Sequence, residues 1–166
     1  MQDIIDECGI SRGGIYIYFA SVDEIFLEVM KRRNKERFSA ISKSVEELES
    51  FETVLETYIS KQRERLLNFQ NSLFRAYCEY IFSKPKAAVE AFRDMQLGHL
   101  KKTVSSILRL GVSQNKIKEK NINELADHFI VVIDGLSVLA LAEALTEKMI
   151  NEQLSILIKM VDDIKI

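Results

Sequence analysis

The sequence predicts an all-α protein, on three observations. One proline and six glycines in 166 residues leave few breaks. Apolar residues recur at three- and four-residue spacing along most of the chain, as one face of a helix requires. No stretch alternates apolar and polar residues with the period of two that marks a half-buried strand. With 47% hydrophobic and 29% charged residues, the composition is that of an ordinary globular chain of one or two small domains.

The elements follow in order. Residues 2–8 predict a short helix with Ile4, Ile5 and Cys8 on one face, and Gly9 is suited to end it in the left-handed conformation. Ser11 is placed to cap a second helix over 12–18, whose Ile15 points to the same side as the following Phe19. Ser21-Val22-Asp23-Glu24 has the form of a capping box and opens a helix running to about residue 45, with Ile25, Phe26, Val29 and Met30 as its stripe. Helices are then predicted over about 50–67, 70–82, 86–112, 122–145 and 147–164, with Pro85 and Gly111 marking two of the breaks.

The segment "FIVVIDGLSVLALAEAL", residues 129–145, is the most apolar, yet Asp134 and Glu143 interrupt it and it is short for a membrane span. A helix apolar nearly all round is covered on several sides. The last helix carries a second broad stripe. The pair is therefore expected to form a four-helix interface between two copies, through Leu136, Leu139, Ile150, Leu154, Leu157, Ile158 and Val161.

The first two helices satisfy the requirements of a helix-turn-helix: a short helix, a Gly-containing turn, and a second helix with a free side. Ile4, Cys8, Ile10, Ile15 and Phe19 would form the inward face. The free side would offer Arg12, Gly13, Gly14, Tyr16 and Ile17. Glycines weaken a helix by about 1 kcal/mol each relative to Ala, but allow its backbone close to a duplex. Tyrosine hydroxyls donate to phosphate, and Arg12 would reach phosphate or a guanine edge.

The stretch "IIDECGISRGGIYIYFASVDEIF" resembles the DNA-binding segment of the tetracycline-repressor (TetR/AcrR-like) family. The likeness rests on the Gly-Ile-Ser turn, the Ile15-Tyr16 and Tyr18-Phe19 pairs and Asp23-Glu24-Ile25, and it covers roughly residues 1–30. "IDGL", residues 133–136, resembles a piece of the family's penultimate helix. The resemblance implies a homodimeric, ligand-responsive regulator: a helix-turn-helix domain over 1–30, and a helical ligand-binding and dimerisation domain over 31–166. It makes Ser11, Arg12, Gly13 and Gly14 the start of the recognition helix, and Tyr16 and Tyr18 its phosphate-contacting aromatics. Val22 stands where the family often has Lys. The family also has a helix, preceded by a polar or basic arm, before the position of residue 1, so the domain is expected to lack its first helix here.

An apolar effector pocket is expected in the middle of the chain, where Phe69, Phe74, Tyr77, Tyr80 and Phe82 cluster. Phe74, Tyr77, Cys78, Phe92, Met95, His99 and Phe129 are its candidate lining. Asp134, in an apolar helix, must be paired or protonated; it would bond across the dimer or touch a cationic ligand. Cys8 reads as core. Two cysteines and two histidines without metal-ligand spacing give neither a metal site nor a disulfide framework, and no catalytic constellation or cofactor motif appears. A reduced, cytoplasmic setting is expected, with no membrane partner.

The net charge of −2 excludes a protein coated with nucleic acid, but not a local DNA-reading surface. "KRRNKER", residues 31–37, reads as a solvated helix face. The expected function is an effector-responsive transcriptional regulator of a near-palindromic operator, most simply a repressor released by a small apolar ligand. The competing expectation is a truncated ligand-binding or interaction dimer without DNA activity.

Overall fold

The computed structural model describes residues 1–47 and 49–166 and, among these, every side chain but that of Arg37. The chain is all-α. Its helices are α1 (Gln2–Cys8), α2 (Arg12–Tyr18), α3 (Val22–Glu46), α4 (Phe51–Leu67), α5 (Leu73–Ser83), α6 (Lys86–Ser113), α7 (Ile122–Leu141) and α8 (Glu147–Asp162), with a 3-10 turn at Phe69–Asn71. Among the described residues, no helix is long and apolar enough to cross a membrane. Two compact units, Met1–Arg37 and Phe38–Ile166, divide the chain.

In the first unit the boundaries are set by caps. Gly9 closes α1 at φ 62°, donating its N–H to the Ile5 carbonyl. The Ser11 hydroxyl accepts from the Gly14 N–H at 3.0 Å and starts α2. Ser21 accepts from the Glu24 N–H at 3.1 Å, and the Glu24 carboxylate reaches back to the Ala20 N–H at 2.6 Å, so the predicted box closes one residue earlier than its usual form. Ile5, Ile15 and Met30 are the buried apolar side chains here. Cys8 and Ile10, expected in the core, are exposed. They flank the Gly9 turn, and a reversal of that kind directs its neighbours outward.

In the second unit α4, α6, α7 and α8 pack around one core in which Phe51, Val54, Leu108, Phe129 and Leu157 are at most 1% exposed. A smaller cluster of Phe69, Cys78 and Ala140 lies under α5. The helix expected over 70–82 is broken: Ser72 ends the 3-10 turn by donating to the Phe69 carbonyl, then caps α5 by accepting from the Arg75 N–H. The α7 helix stops at Leu141 rather than residue 145. Glu143 there takes φ 56°, and Thr146 caps α8 by accepting from the Met149 N–H.

The end of α6 is locked to the start of α4. The Gln114 side chain accepts from the Phe51 N–H and donates to the Glu49 carbonyl, both at 2.8 Å. Gly111 is required one turn back: a β-carbon there would fall 2.9 Å from the Phe51 ring. The chain's end joins the same corner, where Lys118 donates to the Ile164 carbonyl and Ile166 to that of Lys116.

Gly111→Ala is therefore predicted to lower stability. Overpacking against a ring that cannot withdraw costs about 1–3 kcal/mol, which exceeds the roughly 1 kcal/mol gained in helix propensity. Thermal denaturation of the variant checks this, with Gly98→Ala, where a β-carbon meets nothing within 4 Å, as the control that is neutral or stabilised.

Candidate nucleic-acid interface and helical core site

The outward side of α2 is apolar, aromatic and open. Ile17 and Tyr18 are each 78% exposed and Tyr16 45%, while Ile15 is buried. Three consecutive large side chains therefore face solvent on a helix of only seven residues. Ser11, Arg12 and Gly13 are exposed beside them, and the Arg12 guanidinium lies 5.9 Å from the Tyr16 ring centre, one turn away.

The two glycines have different causes. A β-carbon on Gly14 would fall 3.0 Å from the Ser11 hydroxyl, so Gly14 leaves room for the cap. A β-carbon on Gly13 meets nothing within 4 Å. Nothing around it requires glycine there, although glycine costs a helix about 1 kcal/mol.

Farther along α3, Lys31, Arg32, Arg33 and Lys35 are exposed, and Arg32 pairs with Glu36 at 3.2 Å. This is the solvated face expected of "KRRNKER". Residues 1–37 hold six basic side chains (Arg12, Lys31, Arg32, Arg33, Lys35, Arg37) against seven acidic ones (Asp3, Asp6, Glu7, Asp23, Glu24, Glu28, Glu36).

In the second unit the structure brings some of the expected pocket residues together. Rings run in contact from Phe69 to Phe74 (6.1 Å between centres), Phe74 to Tyr77 (5.3 Å) and Tyr77 to Phe92 (5.9 Å), with Cys78 buried beside them. Met95 is half-buried on α6. His99 instead stacks on Phe38, 6.2 Å away. Phe129 is fully buried in the main core, and Phe82 is 66% exposed; neither joins the ring chain.

Three residues not among the expected site residues, Arg65, Tyr58 and Gln96, lie in this region with Asp134. Arg65 places its guanidinium 4.3 Å from the Phe74 ring centre and faces Asp134 electrostatically. Burial raises the Asp134 carboxyl above its ordinary range, and Arg65 acts against that rise. Tyr58 is buried and its phenol is pushed up by desolvation. Gln96, on α6 one turn from Phe92, is 7% exposed. Its spacing from Phe92 is the signal that would have found it. Tyr58 lies on the apolar stripe of α4 that periodicity shows, whereas Arg65 and Phe38 announce themselves only through tertiary packing.

Most of the residues expected between copies are covered within the protomer. Leu136, Ile150, Leu154, Leu157 and Val161 are buried in the chain's own core, and Leu139 and Ile158 pack half-buried against it. The open faces of α7 and α8 carry Val131 (68% exposed), Val138 (47%) and Ile156 (46%), with Gly135 exposed between the valines. Periodicity finds the stronger stripe, and the protomer's own core takes that stripe first.

The cysteines should differ sharply in reactivity. Burial, then the Asp134 charge, pushes the Cys78 thiol up to about 11, so it stays protonated near neutrality. Titration with an aromatic disulfide reagent at pH 7.5 is predicted to label Cys8 promptly and Cys78 only on unfolding. Rapid labelling of both in native protein would show that the α5–α7 cluster is open.

Comparison with known proteins agrees with this geometry. Residues 1–29 match the family model for bacterial regulatory proteins of the tetR family. An uncharacterized HTH-type transcriptional regulator, YfiR, of Bacillus subtilis (strain 168) is 24% identical over 138 residues, covering 82% of this chain and 67% of that protein. The crystal structure of a TetR transcription regulator from Haloarcula marismortui ATCC 43049 superposes with a TM-score of 0.68 at 17% identity, covering 99% of this chain and 86% of that one, a likeness of fold. The helix-turn-helix segment, the all-α architecture around it and the matched relatives agree in supporting a regulator of the tetR family.

Proposed function

We propose that the protein is a DNA-binding transcriptional regulator, a cytoplasmic repressor released from its operator by a small, mostly apolar effector. Residues 1–30 read DNA; residues 31–166 hold the effector and join two copies. The observation that carries this reading is the face of α2, where Gly13 has open space beyond it and Tyr16, Ile17 and Tyr18 stand in solvent. A duplex would cover that face. Gly13 lets the α2 backbone approach it, Tyr16 and Tyr18 donate to phosphates, and Arg12 reaches phosphate or a guanine edge. Ser11 holds the helix start. With seven acids against six bases in residues 1–37, few phosphates are neutralised by charge, so salt dependence should be shallow for a DNA-binding protein.

Two copies join through the open faces of α7 and α8, with Val131 and Val138 one coiled-coil repeat apart and Gly135 between them allowing helices to approach closely. Each copy presents one recognition helix to half of a near-palindromic site. An effector that binds one arrangement of the two heads better than the other shifts the population between them, and that difference in affinity sets the size of the response.

Gly13→Leu and Tyr18→Ala are predicted to leave the melting temperature within error, because neither position touches the core, and to weaken binding to the promoter DNA of the protein's own gene at least about tenfold, near 1.4 kcal/mol. Mobility-shift titration reads this. Unchanged affinity in both variants would remove α2 from the interface. Val131→Asp together with Val138→Asp is predicted to convert a dimer to a monomer with little change in helix content, measured by light scattering and circular dichroism. A dimer that survives both changes would place the interface elsewhere.

A further inference from the structure

A cavity of about 440 Å³ opens where the ends of α4 and α7 meet the start of α8. Small-molecule sites run from about 300 to 1,000 Å³, so the space is sufficient for a ligand. Its floor is apolar: Leu66, Phe69, Ala140 and Ile150 line it, and all four are buried. Three exposed polar side chains stand at its rim: Gln70, Glu143 and Glu147. Two of them are engaged within the chain. Gln70 donates from Nε2 to the Ala140 carbonyl at 3.0 Å, and its Oε1 accepts from Arg75. Glu147 is held by Arg63, whose guanidinium donates to it at 2.5 Å and to Asn151 Oδ1 at 2.8 Å.

Glu143 is different. Among the described residues its carboxylate has no hydrogen bond or ion pair. It also stands where a helix ending of this kind favours glycine. The Ala144 N–H donates to the Leu139 carbonyl at 2.9 Å and the Glu143 N–H to that of Ala140 at 3.1 Å, the paired bonds of a Schellman ending, with Glu143 in the left-handed position at φ 56°. A side chain is strained there where glycine is not. A negative charge beside a helix C-terminus is unfavourable as well. Glutamate therefore costs the fold twice at this position, and no polar partner among the described residues offsets the cost.

We propose that this cavity binds a small organic monocation, a primary ammonium on an apolar body. The body lies on Leu66, Phe69 and Ile150, and the ammonium donates to the Glu143 carboxylate. The rim sets the sign and the number of charges. Arg63 neutralises Glu147, so one negative charge is left for the ligand, and the C-terminus of α7 beside it adds to the attraction for a cation. The start of α8, which by itself favours an anion, is served by the Thr146 hydroxyl, which accepts from the Met149 N–H, and by Glu147 in its first turn. A neutral ligand would cover the carboxylate without pairing it. A primary ammonium suits the site better than a quaternary one, because it donates charge-assisted hydrogen bonds. Phe69, the aromatic residue of the lining, is 2% exposed and offers a quaternary cation no open face. Binding here does not depend on the regulatory reading above.

The test is calorimetric titration of the intact protein with three matched probes: 4-phenylbutylamine, 4-phenylbutanol and 4-phenylbutyrate. It is repeated on Glu143→Gln, which keeps the shape and removes the charge, and on Glu152→Gln. Glu152 is an exposed acid of α8 outside the cavity lining, so it controls for general attraction of an amine to an acidic chain. The amine is expected to bind at least about tenfold more tightly than the alcohol or the acid, to lose at least about tenfold in Glu143→Gln, and to bind Glu152→Gln as it binds the native protein. A third variant, Glu143→Gly, checks that the carboxylate does not serve the fold: unliganded, it is expected to melt about 2–4 °C above the native protein. Preference for the alcohol or the acid, amine affinity that survives Glu143→Gln, an equal loss in Glu152→Gln, no binding of any probe, or a lower melting temperature in Glu143→Gly would each overturn the proposal.

Discussion

A seven-residue helix does not hold itself together in water, because nucleation is unfavourable and isolated helices below about 12–15 residues are marginal. Everything this protein presents outward on α2 depends on that helix being held from outside its own hydrogen bonds. Three contacts do it. Gly9 turns the chain in the left-handed region, the Ser11 hydroxyl satisfies an orphan amide, and Ile15 is buried while its neighbours are not. Given those, Tyr16, Ile17 and Tyr18 need not contribute to folding and are free for recognition.

The second unit solves a different problem with the same means. Its long helices need no caps to exist, but they need registration. Gln114 and Gly111 supply it where α6 meets α4: one side chain fills both hydrogen-bonding roles, and one missing side chain admits the Phe51 ring. From that corner α4 and α6 run back along each other, and α7 packs against both. The contact of Tyr77 with Phe92 and the Arg65 guanidinium over the Phe74 ring follow from packing between helices rather than from sequence proximity.

Much of this was legible in the sequence. The helices of the first unit, their caps and the open side of α2 follow from local rules, and a resemblance of about 30 residues pointed to the family. The stripes of α7 and α8 were visible too, but a stripe does not say what covers it. Leu154 and Leu157 went to the protomer's own core, leaving the weaker outward positions Val131, Val138 and Ile156 open. Cys8 looked apolar enough for a core but sits at a turn. Arg65 was illegible because a polar residue on a helix reads as solvated until a second helix covers it, and only the one-turn spacing from Phe92 marked Gln96. Phe129 was placed in a pocket because aromatic residues look alike in sequence, whether they line a space or fill one.

The central claim is that the exposed side of α2 meets the duplex. Amide hydrogen exchange of the intact protein, with and without promoter DNA, tests it most directly. The account predicts new protection concentrated in residues 12–18, with the α3 stretch 31–36 little changed. Bound DNA that leaves 12–18 exchanging as before, or that protects 31–36 instead, would contradict it.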